Sequence, residues 1–270
     1  MESNKTNTQA IGIFDSGIGG LTVAHQINTL LPNEKILYFG DTKHVPYGEK
    51  SSDAIVQFSE RISCFLLEHK CKMIVVACNT ASALAFTQIE NIIRNKAITI
   101  NVIDPTVEFT CRSRAKSVGI IGTKNTILSN IYAKKIRLLN SELETKSLPS
   151  PLLVPMIEEG FYQNNISKTI ISNYLKRKEL ANIDHLILGC THYPLIEDEI
   201  NQFYGNKVQV INSGKIVSKH IESILIRSKL LNSSLSNPKH EFYVSDFTDS
   251  FERSAEYFFG KHLHLKEISL

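Results

Sequence analysis

The sequence predicts an α/β fold built on mainly parallel sheets, and three observations carry that expectation. Apolar runs rich in Ile and Val recur along the chain, segments with helical period alternate with them, and those segments are long enough to form useful helices. The predicted strands are Ile11 to Phe14, Ile36 to Phe39, Met73 to Ala77, Val118 to Ile121, His185 to Leu188 and Val208 to Ile211. Each is short and, His185 and Gln209 apart, free of polar side chains, as befits a strand buried on both faces. Between the second and third, Ser51, Ser52 and Asp53 mark a helix start ahead of an amphipathic stretch that reaches His69. Near the end, NSSLSNP at 232 to 238 reads as a linker or long turn before a last strand, Glu241 to Ser245, and a last helix. Sites in such sheets lie beyond the carboxyl ends of the strands.

Composition sets the bounds. With 270 residues and 42% hydrophobic content, the chain can bury one sizeable core or two ordinary ones. Thirty Lys and Arg against 27 Asp and Glu give a net charge of +3, too little to demand a nucleic-acid partner. Lys134, Lys135 and Arg137, and the run from Lys176 to Lys178, read as solvated helix faces. No apolar run approaches the roughly 18 residues of a membrane span, and MESNKTNTQA lacks an apolar signal core, so no membrane partner and a cytoplasmic location are expected. Five cysteines without a C-x-x-C pair argue against a disulfide framework or a structural zinc site, leaving free thiols.

An approximate internal repeat organises the chain. Gly12-Ile-Phe-Asp-Ser16 is echoed by Gly119-Ile-Ile-Gly-Thr123, and each echo has a cysteine downstream, Cys78 in IVVACNT and Cys190 in LILGCTH. Cys78 follows Ser16 by 62 residues and Cys190 follows Thr123 by 67. Two similar halves, each presenting a hydroxyl loop and a cysteine at a strand end, fit that pattern. If the halves face each other, the two thiols approach one ligand from opposite sides.

Several loops could carry chemistry. DSGIGG at 15 to 20 joins a strand to a helix, but a dinucleotide fingerprint set on Gly17 and Gly19 would need glycine where Thr22 stands, and no G-K-[ST] follows for a phosphate loop. A tight turn remains its plain reading. GDTKHVPYGEKS at 40 to 51 offers a Tyr-Gly pair whose backbone amide could meet a carboxylate, although surface loops often look the same. Cys78 and Cys190 each stand between an apolar strand and a helix start, where unpaired amides and the helix dipole lower a thiol pKa from about 8.5. Taken singly, each fits a structural thiol equally well. Cys64, Cys71 and Cys111 lack that setting and read as packing residues. His192, two residues after Cys190, invites a metal reading that no second cluster completes. Glu158 and Glu159 read as acidic charges at a helix N-terminus, and His262 and His264 as exposed strand residues.

Taken together and in order, IGIFDSGIGGLTV, YFGDTKHVPYGEKS, VVACNTASA, GIIGTKNTI, VPMIEEG and LILGCTHYPL closely resemble the glutamate racemase family. Only the first ten residues and about 228 to 240 carry nothing that matches. The resemblance implies two similar α/β domains with the active site in the cleft between them, the first discontinuous, 1–103 plus 211–270, and the second 104–210. It implies that Cys78 and Cys190 exchange the α-proton of glutamate, assisted by Asp15 at Cys78 and by Glu158 and His192 at Cys190. It further implies that Asp15, Ser16, Tyr47, Gly48, Asn79, Thr80, Thr123, Thr191 and His192 bind substrate. No cofactor and no metal are implied, and the D-glutamate would serve peptidoglycan synthesis. A homodimer is an expectation. The rival readings are an aspartate racemase or related enzyme of the same superfamily, which would share both cysteines, and a binding protein without turnover.

Overall fold

The computed structural model describes residues 6–234, 238–260 and 263–270, the side chains of Ser250 and Arg253 excepted. Part of the expected 232–238 linker, and His262, lie outside the described residues. The chain opens with β1 (Ile11–Asp15), α1 (Leu21–Leu30), β2 (Ile36–Gly40) and α2 (Ser52–Glu68), and continues with β3 (Met73–Val76), α3 (Asn79–Leu84), α4 (Phe86–Ile93) and β4 (Ile98–Asn101). Then α5 (Ile103–Cys111) leads to β5 (Ser117–Gly122), α6 (Lys124–Leu128), α7 (Ile131–Leu139), β6 (Glu144–Pro149), α8 (Leu153–Glu158) and α9 (Asn165–Leu175). Next come β7 (His185–Gly189), α10 (Glu197–Tyr204), β8 (Gln209–Ile211) and α11 (Ser213–Arg227), and last β9 (Glu241–Val244), α12 (Asp249–Phe259) and β10 (Leu265–Glu267).

These strands form two parallel sheets, ordered β10-β9-β2-β1-β3-β4 and β6-β5-β7-β8. The order β2-β1-β3-β4 in one is repeated by β6-β5-β7-β8 in the other, so the repeat seen in sequence is a repeat of topology. Gly12 in β1 and Gly119 in β5 hold the same place, and for the same reason. A Cβ at Gly12 would press on the Cys71 side chain, and one at Gly119 on Ile183 and Leu180. Both central strands are buried along their whole length, which explains why sequence shows them as continuous apolar runs.

Helix α2 begins where the capping signal places it, with the Ser51 Oγ accepting from the Ala54 amide at 3.3 Å. Its buried stripe runs through Ile55, Ser59, Ile62, Ser63, Phe65 and Leu66, which turns Cys64 outward. The expectation of Cys64 as a packing residue is therefore corrected: it is exposed, whereas Cys71 is buried. After β8, α11 packs on α1 and α5 and carries the chain back to the first sheet, where β9 and β10 add to the β2 edge. That return is pinned by a buried ion pair, Lys72 Nζ to Glu34 Oε2 at 2.6 Å. The same Nζ donates to Asn7 O at 2.5 Å and Leu230 O at 2.8 Å, and Glu34 Oε1 accepts from the Asn232 amide at 2.8 Å. Every polar group in the knot is satisfied by a segment that must pass there, the condition under which a buried charge is tolerated. Among the described residues, no helix is long and apolar enough to cross a membrane.

Candidate active site

Both repeated cysteines emerge at equivalent places, Cys78 after β3 and Cys190 after β7, and both line one cavity of about 240 Å³ between the sheets. Ser16, Tyr47, Gly48, Asn79, Thr80, Thr123, Glu158, Thr191 and His192 also line it. Asp15 does not line it, because it stands fully buried behind the wall, where its Oδ2 accepts from the amides of Gly17 at 3.2 Å and Gly20 at 3.0 Å. Strand β1 thus delivers Asp15 to the β1–α1 turn, whose glycines leave two amides pointing at one carboxylate.

On the Cys78 side, Sγ faces the Ser16 hydroxyl at 3.6 Å and accepts from the Ala81 amide at 3.4 Å. Cys78 is the N-cap of α3, as its neighbours in sequence suggest. The expected acidic shift does not follow. Burial, and next the charge on Asp15, push the Cys78 thiol up to about 12, and the helix amide and Ser16 offset only part of that. A sulfur that is 4% exposed loses more from leaving water than one short helix returns. Cys78 therefore rests as a thiol.

On the Cys190 side, Sγ lies 3.7 Å from His192 Nδ1, and the other ring nitrogen meets Glu158 Oε1 at 2.8 Å. Burial alone would lower the His192 pKa, but its contacts with Cys190 and Glu158 outweigh that and hold it at about 10. The resulting imidazolium donates through Nε2 to Glu158 and aims its Nδ1 proton at the sulfur, so Cys190 is placed as an acceptor. Phe258 packs edge-on against the His192 ring at 5.2 Å between centroids. Glu158 ends α8 and Glu159 is its C-cap, so reading them as N-terminal helix charges is corrected. Their position follows from LVPMI forming the helix itself instead of leading into one. Cys190 likewise precedes a 3-10 turn, Tyr193–Ile196, and not an α-helix.

Bonds across the cavity hold the halves together. Thr80 Oγ1 meets Thr123 Oγ1 at 2.9 Å and Thr126 Oγ1 at 3.1 Å, and the Thr22 hydroxyl donates to Thr191 O at 2.8 Å. Thr191 Oγ1 reaches Asp15 Oδ1 at 3.4 Å, which links the buried carboxylate of one half to the cysteine loop of the other. Gly19 faces the same loop, and a Cβ there would collide with the His192 ring and the Thr191 hydroxyl. Tyr47 lines the cavity, and its hydroxyl is engaged, donating to Asp41 Oδ2 at 2.6 Å. Gly48 then abuts Thr123, and a side chain at 48 would displace it.

Sequence reasoning missed several residues of this site. Asn125 donates from Nδ2 to Tyr47 O at 2.9 Å and Lys50 O at 2.8 Å, clamping the first half's loop from the second. Thr126 closes the hydroxyl triangle, Tyr132 donates to Asn79, and Lys124 lines the cavity. The signal for Asn125 and Thr126 was their place inside GTKNTI. Tyr132 offered none, because its partner lies 53 residues away in the other half. Among the described residues, no three His, Cys, Asp or Glu side chains cluster as metal ligands would.

Comparison with known proteins is consistent with this arrangement. The Asp/Glu/Hydantoin racemase family model matches residues 16–221. A glutamate racemase from Geobacter metallireducens is 39% identical over 256 residues, covering 94% of each chain. Among solved structures, glutamate racemase from Francisella tularensis in complex with D-glutamate superposes with a TM-score of 0.90 at 40% identity, over 97% of this chain and 98% of that one. An isoform from Bacillus anthracis gives a TM-score of 0.91 at 34% identity, over 98% of both chains.

Proposed function

The chain belongs to the Asp/Glu/Hydantoin racemase family, and from that premise we propose that it interconverts L- and D-glutamate by passing protons at the α-carbon between Cys78 and Cys190. The observation that carries this reading is the pair of thiols, brought by equivalent strand ends of two sheets to the wall of one cavity. Inversion needs a base on one face of the substrate and an acid on the other. Cys78, held as a thiol by burial, is positioned to act as the acid, and Cys190, whose sulfur lies 3.7 Å from His192 Nδ1, is positioned to act as the base. When Cys190 takes the α-proton, the developing negative charge spreads onto the adjacent carboxylate, and Cys78 returns a proton from the opposite side. The reverse reaction exchanges the two roles.

That charge is hard to stabilise in water. Hydroxyls at Ser16, Thr80, Thr123 and Thr191, the Asn79 amide and the backbone at Gly48 surround the space where it forms, in a cavity whose cysteines are nearly closed to solvent. Fixed donors in such a setting act far more strongly than water would. His192 with Glu158 assists Cys190, and Asp15, held by the Gly17 and Gly20 amides, acts behind Cys78. The reaction as proposed requires no cofactor from outside the chain.

We assign 1–103 with 211–270 to one domain and 104–210 to the other, supported by the strands of the first sheet lying at 11–101 and 241–267 and those of the second at 117–211, the last of them ending one residue past the assigned boundary. Supply of D-glutamate to peptidoglycan synthesis, a cytoplasmic location and a homodimer complete the reading, on the family resemblance. The test is circular dichroism of L-glutamate, D-glutamate and both aspartates with purified protein and chelator. Both glutamates should converge on zero rotation while aspartate stays unchanged. Turnover of aspartate in place of glutamate would move the substrate assignment, and inertness toward all four would favour a binding protein.

A further inference from the structure

Asn79 opens α3 directly after Cys78, lines the cavity and is 4% exposed. Its amide is half engaged. The Tyr132 hydroxyl donates to Asn79 Oδ1 at 2.6 Å, whereas Nδ2 has no hydrogen-bond partner among the described residues. Tyr132 is itself buried, on α7 of the second half, so this bond crosses between the halves. Burial raises the phenol far above its ordinary value, so it keeps its proton at every working pH.

A carboxamide has two unlike ends, an oxygen that only accepts and a nitrogen that only donates. A phenol donating to the oxygen fixes which end it holds and leaves both Nδ2 hydrogens for whatever fills the cavity. The neighbouring hydroxyls of Thr80, Thr123 and Ser16 can donate or accept by rotating. Asn79, so held, can only donate.

We propose that Tyr132 is a positioning residue that orients the Asn79 amide from across the domain boundary, so that Asn79 meets a substrate carboxylate and not the substrate ammonium. This rests on the glutamate reading above. It also makes one substrate-binding donor depend on the second half standing against the first, since Tyr132 leaves Asn79 when the halves part.

The discriminating probe is glutarate, a dicarboxylate with no ammonium. Its binding is measured by calorimetry and by competition against glutamate, on the full chain and on Tyr132→Phe. The variant should raise the KM for glutamate and the dissociation constant of glutarate by the same factor, about tenfold, and lower kcat as well, because Asn79 is also one of the donors around the developing charge. A raised KM with unchanged glutarate binding would place the ammonium at Asn79 and overturn the inference, as would no change in either. Failure of the wild-type chain to bind glutarate would overturn it too. If Tyr132→Phe does not fold, Asn79→Asp keeps the Tyr132 bond while setting a carboxylate against the substrate's. It should weaken glutarate binding by roughly a hundredfold or more, and retained binding would sink the inference. A wild-type chain that binds glutarate but leaves glutamate unracemised would break the functional reading alone.

Discussion

Cys78 and Cys190 follow equivalent strands, β3 and β7, of two sheets with the same core order, yet their surroundings carry opposite charge. Behind Cys78 stands Asp15, a buried carboxylate; beside Cys190 stands His192, a cation held by Glu158. The fold repeats while the electrostatics do not. Cys78 keeps its proton in front of a buried carboxylate, whereas Cys190 has a protonated imidazole beside it. A duplicated scaffold thus supplies geometric symmetry about the cavity, and different second partners break the symmetry of charge around the two sulfurs.

The sharpest way to break the comparison is to remove each thiol. Cys78→Ala and Cys190→Ala should each lower kcat for glutamate racemisation by roughly 10³–10⁴-fold, measured in both directions. Loss in only one of the two variants would mean that a single sulfur serves both faces. His192→Asn should cost less, about 10²-fold in kcat, with the larger loss in the direction that starts from Cys190 as base. Equal loss in both directions would detach His192 from one face.

Paired charge changes sharpen it further. Asp15→Asn removes the like charge behind Cys78, so the ionisation assigned to that thiol should fall from about 12 by about one pH unit. Glu158→Gln removes a partner of His192, so the ionisation near 10 should fall by about one pH unit, leaving the Cys78 limb in place. Profiles of kcat/KM against pH in the two directions read both shifts. If either variant moves both limbs, the halves are not electrically separate.

The smallest effect is on stability. His192 binds its proton more tightly folded than unfolded, so its contribution is fully present below about 6.5 and is lost as pH rises through about 10. Cys78 adds loss in the same direction, beginning at its unfolded value near 9, because the folded thiol resists ionisation. His192→Asn should therefore flatten the decline of Tm between pH 6.5 and 10 by about 2–4 °C in thermal scans. An unchanged slope would show that the imidazolium does not rest in the ligand-free chain.

Much of this was legible in sequence where burial was symmetric. β1, β2, β3, β5 and β7 are buried throughout and stand out as apolar runs. β4, β6 and β10 are edge strands that face solvent in part, and ETKSLP or LKE carries too many polar residues to signal a strand. The cysteines and their hydroxyl neighbours were legible because each sits in a motif at a strand end. Asn125, Thr126 and Tyr132 were not, since their roles arise only when the second half meets the first. The state of Cys78 was misread for a related reason: sequence shows the helix start that would acidify it, but not the depth at which it is buried or the carboxylate behind it.

The measurement that tests the two-thiol account most directly is racemisation of L-glutamate in D2O, followed at early conversion by mass spectrometry of the separated enantiomers. The account predicts deuterium at the α-carbon of the D-glutamate formed and almost none in the L-glutamate that remains, because Cys190 and Cys78 address opposite faces and do not share a proton. Deuterium appearing equally in both enantiomers from the start would contradict it and point to a single base.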